Sequence, residues 1–155
     1  MKYWLMKSEP ESYSVDRLAK EGKTFWEGVR NYQARNFMMN EMKKGDKILF
    51  YHSNTAEPAV VGLAEVCAEE CVPDFTSWDK SSRYYDPKSP KEKPRWFMTE
   101  VRFVKKLDKP VTLKDIKNMP GLEGMKLVRK GMRLSVQPVT AEEYAVILEM
   151  AGEKA

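Results

Sequence analysis

The sequence predicts a single-domain α+β fold, a small mixed barrel or sandwich of short strands with short helices in its gaps. Short strand-like segments recur along the whole chain, while helix start signals are few and each opens a brief run. The alternation of the two is too irregular for a doubly wound sheet. A chain of 155 residues fits one domain and buries enough surface to fold without a disulfide or a metal.

Each element has a local reason. Lys2–Met6 is a short aromatic strand, and Pro10 places a turn after it. Ser14 caps a turn or two of helix that ends at Gly22. Asn31 or Tyr32 opens a helix running through Lys44, with Phe37, Met38 and Met42 on one face and Gly45 closing it. Lys47–Tyr51 (KILFY) is a strand after the Gly45-Asp46 turn, and Ala59–Cys67 (AVVGLAEVC) is another, with Gly62 as a bulge. Residues 79–95, rich in Pro, Ser and Lys, form a long basic surface loop. Phe97, Thr99, Val101 and Phe103 alternate with Met98, Glu100 and Arg102, the period of a half-buried strand. Thr112 with Asp115 opens a brief helix, and Leu134–Val136 is a short strand. In the last helix Thr140 and Glu143 form a capping box, Val139 staples onto Tyr144, and Tyr144, Ile147 and Leu148 face the core.

Several function classes are weakened by what the chain lacks. No apolar run approaches the ~18 residues of a membrane span. The opening MKYWLMKSEP has neither an h-region nor a small-residue cleavage site, so a cytoplasmic protein is expected, nucleoid-associated in a bacterium. Cys67, Cys71 and the lone His52 do not complete a structural zinc set, and no metal is expected. With no GxGxxG and no GxxxxGK[ST], no cofactor is expected either. For catalysis, His52 is followed by Ser53, but no G-x-S-x-G elbow exists and nothing places an acid to orient the ring. Glu9, Glu11 and Glu27 are scattered rather than paired.

Binding is better supported. The net charge of +4 is mild, but it is unevenly spread. Residues 80–95 carry six positives, Lys80, Arg83 and Lys88 among them, against Asp86 and Glu92. Residues 125–133 carry Lys126, Arg129, Lys130 and Arg133 with no acid. Each segment alone reads as a solvated face; together, beside an aromatic-rich stretch, they favour a phosphate-bearing partner. That stretch is FWEGVRNYQARN, residues 25–36. Trp26 offers a stacking face, and Gly28 lets a ligand approach the backbone. Asn31 and Gln33 each offer a donor and an acceptor to a base edge, and Arg30 suits a phosphate or a second stacking face. The competing account makes Trp26 and Tyr32 core aromatics and Arg30 an ion-pair partner, and chemistry alone leaves the two even. Lys7 and Ser8 leave the first strand where backbone and hydroxyl groups can read a base edge. Trp78, on a polar loop, is either a second aromatic wall or a pin for that loop.

At these residues the sequence resembles the EVE domain family. The carriers are YWLMKSEP at 3–10, WEGVRNYQARNFM at 26–38, GDKILFYHS at 45–53, YDPKS at 85–89, PRWFM at 94–98 and RLSVQPVT at 133–140. The resemblance implies a PUA-like β-barrel with flanking short helices, related to YTH domains, which hold a methylated adenine in an aromatic cage. It further implies a non-enzymatic nucleic-acid-binding module that reads a modified base, a modified cytosine in DNA foremost, in an aromatic pocket. Carried over by position, Lys7 and Ser8 line that pocket, Trp26 is its stacking wall, and Gly28, Arg30, Asn31 and Gln33 form its rim. His52 and Ser53 match the end of the next family strand, Trp78 resembles the second cage wall of YTH domains, and Ser135 and Gln137 match the last family motif. Two alternatives stay open: a base- or RNA-processing enzyme or accessory subunit using the same pocket, and a protein-interaction module.

Overall fold

The computed structural model describes residues 1–131 and 133–153. Six strands form one curled sheet, a half-barrel, built from β1 (Tyr3–Ser8), β2 (Lys23–Phe25), β3 (Lys47–His52), β4 (Ala59–Val66), β7 (Glu100–Thr112) and β8 (Val136–Val139). Their order is β2-β7-β4-β3-β1-β8. A separate two-stranded ribbon joins β5 (Val72–Pro73) to β6 (Phe97–Met98). β1 runs parallel to β3, with Ser8 opposite His52, and the other neighbours are antiparallel. The C-terminal ends of β1 and β3 therefore open at one place.

Both faces of the sheet are covered, which is why the central strands read as near-continuous apolar runs. Trp4, Met6, Ile48 and Phe50 point to the side carrying α1 (Val15–Glu21) and α2 (Tyr32–Asn40), where they pack with Val15, Leu18, Ala34 and Met38. Leu5, Leu49 and Tyr51 point the other way, onto α3 (Leu113–Lys117), α4 (Ala141–Met150) and the 3₁₀ turn Lys126–Val128, through Ile116, Leu127, Ile147 and Leu148. No helix among the described residues is long and apolar enough to cross a membrane.

The caps form where the local chemistry places them. Ser14 accepts from Arg17 N at 3.1 Å and α1 ends at Gly22, whose φ is +84°. Thr140 and Glu143 form the reciprocal capping box of α4. Gly62 lies where the β4–β7 register shifts, and a Cβ there would come within 2.5 Å of Val15 Cγ2, so the glycine also lets α1 pack tightly on the sheet.

Four elements depart from expectation. α2 ends at Asn40, not Lys44, because buried Asp46 accepts hydrogen bonds from Lys43 N at 3.0 Å, Trp4 Nε1 at 3.0 Å and Lys2 N at 3.1 Å, pulling the chain out of the helix. The last strand is Val136–Val139 rather than Leu134–Val136; Pro138 is tolerated because β8 is an edge strand. The strand expected over 97–103 breaks at Thr99, and its second part continues to Thr112 as the antiparallel partner of β4. Unforeseen β2 pairs with that part, setting Phe25 opposite Glu100.

Candidate functional site

The C-terminal ends of β1 and β3 open into a cleft of about 910 Å³, within the range of ligand-binding pockets. Lys7, Ser8 and Ser53 line its floor; Trp26, Glu27 and Gly28 line one side, and Phe75 and Ser82–Tyr84 another. Ser135 and Arg133 close it from the β8 side, and Tyr13 and Arg17 from the α1 side. Backbone bonds set the floor: Ser53 N donates to Ser8 O at 3.0 Å and Lys7 N to Ser135 O at 2.8 Å. Ser8 Oγ is engaged, donating to Tyr13 O at 2.6 Å.

Four cations (Lys7, Arg17, Arg83, Arg133) and four carboxylates (Glu9, Glu11, Glu21, Glu27) share the lining, so the cleft is not uniformly basic. Several are engaged already. Arg17 pairs with Glu21, which also accepts from Tyr13 Oη, and Arg83 donates to Ser12 Oγ at 2.9 Å. Burial, with Glu21 nearby, pushes the Tyr13 phenol up to about 12. Burial also raises the Glu27 carboxyl, helped by the charge of Asp74. Lys7 makes no ion pair among the described residues, and burial lowers its ammonium below the ordinary lysine value. A half-buried amine without a carboxylate is suited to an acceptor atom supplied by a ligand.

Trp26 lines the cleft but is only 8% exposed. It meets Phe50 edge-on, ring centres 5.5 Å apart, so most of the indole belongs to the core. Gly28 is needed for a different reason from the one its sequence context suggests. Its φ is +83°, and a Cβ would come within 2.5 Å of Tyr84 Cζ. The room left by the missing side chain is filled by the Tyr84 ring. Arg30 is likewise committed to the protein. It bonds buried Asp74 at 3.0 Å, Thr76 Oγ1 at 3.2 Å and the Tyr84 carbonyl at 2.7 and 3.1 Å. Asp74 also accepts from Gly28 N at 2.8 Å. One buried carboxylate thus ties residues 28–30 to residues 74–84.

The structure leaves other sequence-derived candidates out of the cleft wall. Asn31 caps α2, accepting from Ala34 N at 3.0 Å, and both Asn31 and Gln33 are exposed. His52 Nε2 accepts from Val15 N at 3.1 Å, capping α1, and burial lowers the pKa of its imidazole. Trp78 points away; Lys91 Nζ lies 5.9 Å from its ring centre, and its buried indole N–H has no partner among the described residues. Gln137 is buried, donating to Leu134 O at 2.8 Å. Of the basic candidates, Arg83 and Arg133 reach the cleft, while Lys80, Lys88, Lys126, Arg129 and Lys130 do not. Tyr84, Phe75 and Tyr13 line it without having been singled out. Tyr84 and Tyr85 interrupt an otherwise basic loop, and that interruption was the available signal.

The segments that build this cleft include those carrying the family resemblance, at 3–10, 26–38 and 133–140. The family profile of the EVE domain matches residues 2–150. The chain belongs to the EVE domain family. Thymocyte nuclear protein 1 of human is 39% identical over 167 residues, covering 96% of this EVE domain chain and 73% of its relative. A hypothetical protein from Leishmania major superposes with a TM-score of 0.93 at 52% identity, covering 98% and 95% of the two chains. Human THYN1, solved in complex with 5-methylcytosine-containing DNA, superposes with a TM-score of 0.90 at 37% identity over 100% of both chains. The half-barrel with flanking helices is thus the architecture of solved EVE relatives.

Proposed function

We propose that this EVE domain is a non-catalytic reader of DNA that takes a modified base, of the 5-methylcytosine class, into the cleft between β1, Trp26 and Tyr84. The observation that carries this is the cleft itself, in a chain that superposes along its full length on human THYN1 in complex with 5-methylcytosine-containing DNA. The residues fit such a task. The unpaired Lys7 amine and the Ser53 hydroxyl offer polar contacts to a base edge at the floor, and aromatic groups stand along the walls. Arg83 and Arg133 can meet a flanking phosphate.

A binding role suits the chemistry better than a reaction. His52 presents Nε2 to a backbone N–H, so its lone pair is occupied, and Ser8 donates to a backbone carbonyl rather than to a base. The test is equilibrium binding of duplexes that differ only in one cytosine (plain, 5-methyl or 5-hydroxymethyl), at two salt concentrations. The modified site should bind more tightly, and mass analysis should return every oligonucleotide unchanged. Equal affinity for plain and modified cytosine would sink the reader function, and a converted base would sink the non-catalytic one.

A further inference from the structure

Phe75 is 53% exposed, in a segment whose neighbours are almost wholly buried. Asp74 and Ser77 are fully inside and Thr76 is 8% exposed. The 3₁₀ turn Phe75–Trp78 is also fixed from several sides. Asp74 accepts from Thr76 N at 2.9 Å, Ser77 Oγ returns to Asp74 O at 2.8 Å, Asp74 N donates to Trp96 O at 2.9 Å, and Asp86 N donates to Ser77 O at 2.9 Å. A flexible loop can expose a phenyl by accident. Here a rigid backbone holds one in water at the wall of the cleft, where burying it would be favourable.

We propose that Phe75 is a wedge that enters the base stack of duplex DNA beside the base held in the cleft. This rests on the base-reading function proposed above. Drawing a base out of a duplex leaves a gap and costs stacking on both sides. A flat apolar group entering that gap recovers part of the loss, as apolar side chains do between base steps. The group must stand at the rim of the pocket with its ring in solvent, be apolar and rise from a fixed backbone, because an ordered segment has less freedom to lose on insertion. Phe75 meets all three conditions. Phe25, the other exposed phenyl on the cleft, ends a three-residue edge strand and lacks the buried polar anchoring of Asp74.

The experiment compares wild type with Phe75→Ala, Phe75→Trp and Val104→Ala, the last an exposed apolar truncation on β7 away from the cleft. Each is titrated against a duplex with one 5-methylcytosine flanked by 2-aminopurine, and against free 5-methyldeoxycytidine as competitor. Phe75→Ala should bind the duplex about 5- to 150-fold more weakly, the range for one lost stacking contact. Its loss for the nucleoside should be much smaller than for the duplex, and it should abolish the 2-aminopurine fluorescence change. Phe75→Trp should restore both duplex readouts, and Val104→Ala should alter neither. Equal losses for duplex and nucleoside make Phe75 a wall of the pocket and overturn the wedge. Unchanged duplex affinity overturns the wedge alone. Failure of the wild type to prefer the modified duplex overturns the base-reading function, and the wedge with it.

Discussion

Replacing Asp74 by alanine removes a fully buried carboxylate that ties residues 28–30 to the turn at 74–76. It accepts from Gly28 N, Arg30 Nη1, Thr76 N and Thr76 Oγ1. Breaking a buried ion pair by removing one partner destabilises by about 3–5 kcal/mol, since the other charge is left uncompensated. Arg30 is 22% exposed on its side chain and keeps the Tyr84 carbonyl, which favours the lower end. The orphaned Gly28 N–H works in the other direction. For a domain of this size, about 3–5 kcal/mol is a fall of roughly 6–20 °C in melting temperature. Asp74→Asn keeps the shape but not the charge, and should lose about 1.5–3 kcal/mol, the range for a hydrogen bond to a charged group. Adding Arg30→Ala to Asp74→Ala should cost less than the sum of the two single changes, because the second removes a charge the first stranded. Urea titration with unchanged slope measures all of these. An Asp74→Ala protein within about 1 kcal/mol of wild type would mean that the Asp74 cluster does not organise the cleft.

Trp26→Ala should lower stability by about 3–5 kcal/mol, because the indole is mostly core; calorimetry with no change in melting temperature would return it to the cleft alone. His52 is held neutral by burial and by its bond from Val15 N. Its folded pKa lies below the ordinary value of about 6.5, so its contribution to stability is present above that pH and is lost as pH falls toward the folded value. The stability of His52→Gln should therefore depend less on pH between about 7 and 5 than that of wild type, and superimposable profiles would remove His52 from the α1 cap. Reversing the charges of Lys126, Arg129 and Lys130, which lie outside the cleft, should weaken binding to all oligonucleotides alike and flatten the salt dependence. Lost discrimination at unchanged overall affinity would show that these residues touch the base.

What the sequence by itself determined is what neighbours within a few residues decide. Ser14, Asn31, Thr112 and Thr140 open helices because a side-chain oxygen reaches a backbone N–H three residues on. The alternation in β1 and β3 separates the two faces because successive side chains in a strand point oppositely. The long blocks of family residues added the β-barrel with flanking helices and a pocket lined by Lys7 and Ser8. Tertiary structure alone decided which side chains of those blocks face a ligand. Arg30 reads as a phosphate ligand until Asp74, 44 positions away, is found against it. Gly28 reads as room for a ligand until the Tyr84 ring is found in that room. Asn31 was equally suited to a base edge and to a helix cap, and the cap won because the first turn of α2 had backbone donors to satisfy. A guanidinium or an amide has the same chemistry with either partner, and the partner is chosen by strand order and by how the 74–86 segment lies on the sheet, neither of which local spacing encodes.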